Sequence, residues 1–193
     1  MEIDVAEHVG SLYRTLSGAV VPRPIGWIST RSADGEDNLA PYSFFNVVSI
    51  DPPVVMFAPV DGEDGLKDTP QNVVDTEVFA HNVVTADLVE AMNATATGHA
   101  VDEFDRAGLT KAECETVDAP RVAEAKVTFE CELYDFVDIG ISSLVLGEVT
   151  YVHVDDAVTI DGKLDTTKLD AVGRLAGQEY TYTRDRFSIE RPE

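Results

Sequence analysis

The chain has 193 residues, 44% of them apolar, which is enough for one domain with a sizeable core or one domain carrying a subdomain. Asp and Glu number 36 against 14 Lys and Arg, a net charge of −22 spread over every region, and this leaves no basic patch for nucleic acid. No stretch approaches the roughly 20 consecutive apolar residues of a membrane span, and the acidic start MEIDVAEHVG lacks the basic-then-apolar pattern of a signal peptide, so a cytoplasmic protein without membrane partners is expected.

Residues 1–18 open as a weakly amphipathic arm in which LYRTLSG ends at a glycine turn. Val20 and Val21 suggest a short strand, and Pro22 and Pro24 hold the backbone extended on either side of Arg23. Residues 25–31 read as a strand and SADGEDN as a hairpin turn with Asp-Gly at its tip. Residues 39–50 read as a second long strand, and after DPP the segment VVMFAP reads as a buried one. Beyond the polar loop VDGEDGLKD, Thr69 and Pro70 have the look of the N-cap and first residue of a short helix. Residues 76–84 resume as a strand, 86–94 are helical by spacing, and 95–107 are acidic and irregular, or helical around 102–106. Two strands over 125–137 and 143–154 follow, then a short piece at 158–160 ending in an Asp-Gly turn. The tail from Asp165 reads as loop with a last strand at 186–189. Many strands with few helices predict a mainly β fold, a β-barrel or sandwich with helical insertions. No break in composition marks a second domain, so 1–193 reads as one domain with an N-terminal arm and a C-terminal tail.

The charge carries a second message. So much acid repels itself at low salt, and at molar salt the Debye length falls to about 3 Å and screens the repulsion. A salt-rich cytoplasm, that of a halophile, is the economical reading, and an acidic protein of an ordinary cell is the alternative. Cys114 and Cys131 form no C-x-x-C and have no histidine at zinc spacing, so both are expected to be free thiols. The chain has no G-x-G-x-x-G, Walker loop, H-E-x-x-H or G-x-S-x-G, and His8, His81, His99 and His153 form no short metal motif. His153 lies on a regular strand and reads as structural.

Polar groups recur inside the apolar stretch 19–59, where a strand alone would not need them. Arg23, fixed between two prolines, could pair with phosphate or stack on a ring, or pair with one of the many acids. Lys67 precedes a helix start whose unpaired N–H groups suit a phosphate, although a plain capped helix with a solvated lysine fits as well. In PYSFFN, Phe44 and Phe45 point to opposite faces. Ser43 and Asn46 beside them could hydrogen-bond a heterocycle or simply face water.

Taken in order, PRPIGWIST, NLAPYSFFN, DPPVVMF and KDTPQN, then VDEFDRAGLT, APRVAEA, GEVTYVHVDD and VGRLAGQEY, strongly resemble the flavin reductase-like (flavoredoxin) family. The resemblance runs from about Leu16 to Tyr180. It implies a six-stranded Greek-key FMN-binding split barrel, normally a homodimer, with FMN held non-covalently near the dimer interface. By position it implies that Arg23, Ser29, Thr30, Lys67 and Thr69 hold the phosphate and ribityl chain. Pro24, Ile25, Ser43, Phe44, Phe45 and Asn46 would line the isoalloxazine, with Asn72 as a further contact. Gly173, Arg174 and Tyr180 would close the pocket from the same chain or its partner, although Ala176 stands where the family often has a second glycine. The implied activity is an oxidoreductase that passes electrons from NAD(P)H through FMN to a second small-molecule acceptor, with no catalytic side chain and no metal. The alternative is an FMN-binding electron carrier without NAD(P)H activity. Pyridoxamine-phosphate oxidases share the split barrel, but their basic substrate-binding residues are not seen here.

Overall fold

The structure, a computed structural model, describes residues 2–63, 65–98 and 101–192; His99 lies outside them. The strands in chain order are β1 (Gly26–Arg31), β2 (Asp37–Tyr42), β3 (Phe45–Ile50), β4 (Pro53–Phe57), β5 (Val78–Asn82), β6 (Lys111–Glu113), β7 (Pro120–Val122), β8 (Val127–Ile139) and β9 (Ser142–Val154). Two short ribbons follow, β10 (Thr159–Ile160) with β11 (Lys163–Leu164) and β12 (Val172–Arg174) with β13 (Tyr180–Tyr182). The helices are α1 (Tyr13–Ala19), α2 (Asp68–Thr76), α3 (Val89–Ala94), α4 (Glu103–Ala107) and α5 (Thr166–Leu169).

Strand β1 sets the architecture. Trp27 and Ser29 point to one side of it and Ile28 and Thr30 to the other, and all four are fully buried. A strand buried on both faces needs cover on both. On the inner side the cover is the sheet itself, seven antiparallel strands in the order β2-β1-β5-β8-β9-β4-β3. Its two edge strands are consecutive in sequence, and the sheet curls until they meet. Phe45 of β3 lies so close to β1 that a Cβ on Gly26 would fall 2.7 Å from its ring, and Phe45 also stacks on His81 of β5. The result is a split barrel, filled by Ile28, Phe45, Val55, Phe57, Phe79, Cys131 and Val145, with Val73 of α2 packed among them. Gly147 of β9 is a required glycine, because a Cβ there would lie 2.3 Å from the ring of Phe79.

On the outer side β1 is covered by a second core in which Trp27 and Leu39 meet Leu88, Met92, Phe104 and Val122. Trp27 Nε1 donates to Thr95 Oγ1 at 2.9 Å, which satisfies the buried indole. The β6–β7 ribbon packs through β7 on β1 and β5, and the loop between its strands reaches Glu130 of β8. Asn82 pins the ribbon: its Oδ1 accepts from the Val122 N–H at 2.9 Å, and its Nδ2 donates to Ser29 Oγ at 3.1 Å. No described helix is long and apolar enough to cross a membrane.

Four expectations change. The stretch 39–50 is two strands, not one, broken at Ser43–Phe44, because its halves lie at opposite edges of the sheet; this also makes seven strands rather than six. The arm contains α1, which runs to Ala19 with Val20 as C-cap so that no strand forms at Val20 and Val21, and its terminal carbonyls are held by the Arg23 guanidinium. Helix α2 begins two residues earlier than expected, with Lys67 as N-cap and Pro70 as its third residue. No strand forms at 186–189, where Phe187 and Ile189 are exposed; the last strand is β13, paired with β12.

Candidate functional site

Arg23 is 5% exposed and its hydrogen bonds go to backbone carbonyls. Nη1 donates to Ser17 O and, at 2.8 Å, to Val20 O; Nη2 donates to Leu175 O at 2.8 Å. Its backbone exchanges both N–H···O bonds with Arg174, at 2.9 and 2.8 Å. The guanidinium therefore ties α1, the Pro22–Pro24 segment and the tail together, and its face lies 5.8 Å from the centroid of Phe44. Gly173 is needed at this junction, since a Cβ there would come within 2.9 Å of Pro22. The Arg174 guanidinium lies 4.5 Å over the Tyr180 ring, and the Tyr180 hydroxyl donates to Asn93 Oδ1 at 3.4 Å. The three tail residues thus close on Arg23 of their own chain.

The corner between β2 and β3 presents the ring-binding candidates. Pro24 and Asn46 are exposed and Ser43 and Phe44 are partly so, while Ile25 and Phe45 are buried behind them. Phe45 stacks on His81 at 4.0 Å and 23°. His81 Nε2 lies 3.3 Å from Ile25 O, so the neutral ring bonds as the Nε2–H tautomer, and Nδ1 is buried without a partner. Burial drives the His81 pKa down to about 4, against a smaller upward pull from the Ile25 carbonyl. Sequence reasoning missed His81 because FAHNVV carries no motif. Only the β1–β5 register, which places His81 opposite Ile28, reveals where it points.

The phosphate candidates divide. Asn72 Nδ2 donates to Thr30 Oγ1 at 3.0 Å, and Asn38 Nδ2 donates to Thr69 Oγ1 at 2.7 Å. The Tyr42 hydroxyl also bonds Thr69; burial raises its pKa to about 12 and that bond only partly opposes it. Ser29 turns to the opposite face of β1, onto Asn82. Thr30, Thr69 and Asn72 are buried together and Ser29 is buried apart from them, so these four side chains brace the wall from within. Lys67 differs: it is exposed, has no ion pair among the described residues, and stands at the start of α2, which no side chain caps. A recess of about 710 Å³ on the other side of the α2 start is lined by Asp34, Glu36, Asp37, Asp68, Asp102 and Glu103, with Lys111 already paired to Asp37 and Asp102. Of the candidates only Asn72 reaches it, and its charge repels an anion.

Comparison with known proteins agrees with this fold. Residues 17–172 match the flavin reductase like domain. An uncharacterized protein of Aquifex aeolicus is 44% identical over 186 residues, covering 93% of this chain and 94% of that one. The crystal structure of nitrilotriacetate monooxygenase component B from Bacillus cereus superposes with a TM-score of 0.93 at 28% identity, over 98% of both chains. That of the 2-nitrobenzoate 2-nitroreductase NbaA of Pseudomonas fluorescens gives 0.91 at 29%, over 100% of this chain and 96% of that one. The chain belongs to the flavin reductase-like family of flavin-binding oxidoreductases.

Proposed function

We propose that the protein binds FMN non-covalently and passes electrons from NAD(P)H to a second small-molecule acceptor, as a cytoplasmic homodimer. One observation carries the reading. A solvent-facing corner of Pro24, Ser43, Phe44 and Asn46 is braced from behind by Arg23, Ile25 and the Phe45–His81 stack. In a protein of net charge −22, it is accompanied by Lys67, which has no ion pair among the described residues, at the start of α2. FMN, when bound, supplies the hydride-accepting ring.

The chain's residues bind and orient. Lys67 and the first-turn amides of α2 take the phosphate. Pro24, Ser43, Phe44 and Asn46 wall the ring. Ser29, Thr30, Thr69 and Asn72 fix the strands that carry them, and Gly173, Arg174 and Tyr180 lock Arg23. No side chain exchanges a proton with substrate in this scheme. His81, kept neutral, adds no charge behind the ring. The apolar edge strand β3, with Val47, Val48 and Ile50 exposed, supports a second copy as its cover. The structural neighbour named as a nitroreductase supports a small organic acceptor.

The test is the visible spectrum of the purified protein in high salt, followed by anaerobic NADH and then NADPH. Flavin bands that bleach with either nucleotide support the reading. Bands that persist with both favour an electron carrier fed by a protein donor. A colourless protein that takes up no added FMN overturns the proposal, and a monomer on size-exclusion chromatography in high salt overturns its dimeric part.

A further inference from the structure

We propose that the outer face of β9 carries a second anion site, shaped for the phosphate and base of a mononucleotide and independent of the flavin reading. The sheet register lays out this face in two rows. Trp27, Asn82, Thr128 and His153 form one, and Ser29, Ala80, Glu130 and Tyr151 the other. The chain from β6 to β7 covers these rows as far as β8: the Val122 N–H reaches Asn82, and the N–H groups of Glu115 and Thr116 reach Glu130. On β9 the cover reaches Thr150, whose Oγ1 lies 3.0 Å from Thr116 Oγ1, and leaves Tyr151 exposed. There a recess of about 460 Å³ opens between the end of β7 and β9, with Arg121, Lys126, Tyr151, His153 and Asp155 in its wall. That volume lies within the range of small-ligand sites, roughly 300–1,000 Å³.

The recess holds two cations, Arg121 and Lys126, in a chain of 36 acids and 14 bases. Arg121 has no ion pair among the described residues. Its Nε donates to Glu113 O at 3.2 Å, which aims the fork and leaves the two terminal nitrogens to a ligand. Among the described residues Lys126 has one ion pair, a 3.4 Å contact with the exposed Asp87. Asp155 is the one acid among the described wall residues, and with Asp87 on Lys126 and Glu130 behind His153 the charge left to an anion is that of the Arg121 fork.

His153 is held in place by Glu130, whose buried carboxylate is 2.6 Å from its Nε2. Nδ1 is the ring nitrogen left for a ligand. Tyr151 is 42% exposed with its ring 4.9 Å from that of His153, and it offers a face on which a base can stack. The Phe45–His81 stack belongs to the inner face of the sheet, and three strand spacings, roughly 14 Å, separate β9 from β1.

The experiment is equilibrium dialysis of protein loaded with one equivalent of FMN, using labelled adenosine 5′-monophosphate, with inorganic phosphate as competitor. One mole of the nucleotide should bind per chain, and inorganic phosphate should displace it only at concentrations at least 10-fold higher. Arg121→Gln should weaken nucleotide binding at least 10-fold, and Tyr151→Leu should bring it down to the level of inorganic phosphate. Both variants should keep the FMN titration and melting curve of the parent. Lys126→Gln serves as a second charge variant if either melts early, with a smaller loss expected. No nucleotide binding, or binding indifferent to the charge variants, overturns the site. Inorganic phosphate binding as tightly as the nucleotide overturns the stacking role of Tyr151. Loss of FMN binding alone bears only on the flavin reading.

Discussion

Gly26 has no room for a methyl group: a Cβ would sit 2.7 Å from Phe45 Cδ2 and 3.1 Å from its Cβ. Phe45 cannot yield, because His81 stacks on its ring. Gly26→Ala should therefore cost about 1–3 kcal/mol of stability, as overpacking does, and weaken FMN binding at least 10-fold; denaturant titration and FMN titration check the two effects. Glu130 gives a pH-dependent prediction. Burial of its carboxylate opposes the charge, but hydrogen bonds from the Glu115 N–H, from Thr116 and from His153 outweigh burial and bring its pKa from the ordinary 4.5 down to about 2. A depressed carboxylate stabilises the fold above about pH 4.5, and that contribution is lost as pH falls through about 2. Its size at neutral pH is on the order of 3 kcal/mol. Glu130→Gln should lower stability at pH 7 by about that much, and the gap to the parent should shrink between pH 5 and 2 in urea titrations.

Three separate elements meet at Arg23: α1, the Pro22–Pro24 segment and the β12 end of the tail ribbon. Arg23→Gln cannot reach all three carbonyls. It should destabilise the protein by about 2–4 kcal/mol and raise amide hydrogen exchange in residues 13–20 and 171–182 while leaving β8 and β9 protected. The strands themselves are readable from the sequence because apolar alternation and Gly, Pro and Asp-Gly punctuation mark them. NLAPYSFFNVVSI has strand-forming residues throughout, so its break at Ser43 is set by where its halves pair, which only the closed sheet decides. The chemistry of the site is half readable. PRPI, SFFN and Lys67 stand out locally. The burial of Ser29, Thr30, Thr69 and Asn72 depends on Asn82, Asn38 and Tyr42, partners supplied by other strands. His81 enters through a register no local pattern encodes.

Across the whole molecule, 36 acids face few cations, and several of the ion pairs that do form involve side chains well exposed to solvent, such as Arg31–Asp118 and Arg184–Asp170. Unscreened repulsion then opposes the compact state. Raising KCl from 0.1 to 2 M should lift the melting temperature by about 10 °C, equivalent to a few kcal/mol for a chain of this size, as followed by circular dichroism. A melting point indifferent to salt would remove the case for a salt-rich cytoplasm. The long β8–β9 hairpin adds a dimension of time. Its strands run from Val127 to Val154 around the two-residue turn Gly140–Ile141 and share twelve register pairs, none more than 27 residues apart in sequence. Pairing β5 with β1 must close a loop of roughly 50 residues, and pairing β4 with β9 one of roughly 90, each at a larger entropic cost. Loop-closure cost therefore favours the hairpin forming before β5 and β4 pair with it from either side. On the proposed placement of the flavin at the Phe44–Phe45 corner, that site is complete only where β1 and β3 have met and the barrel has closed.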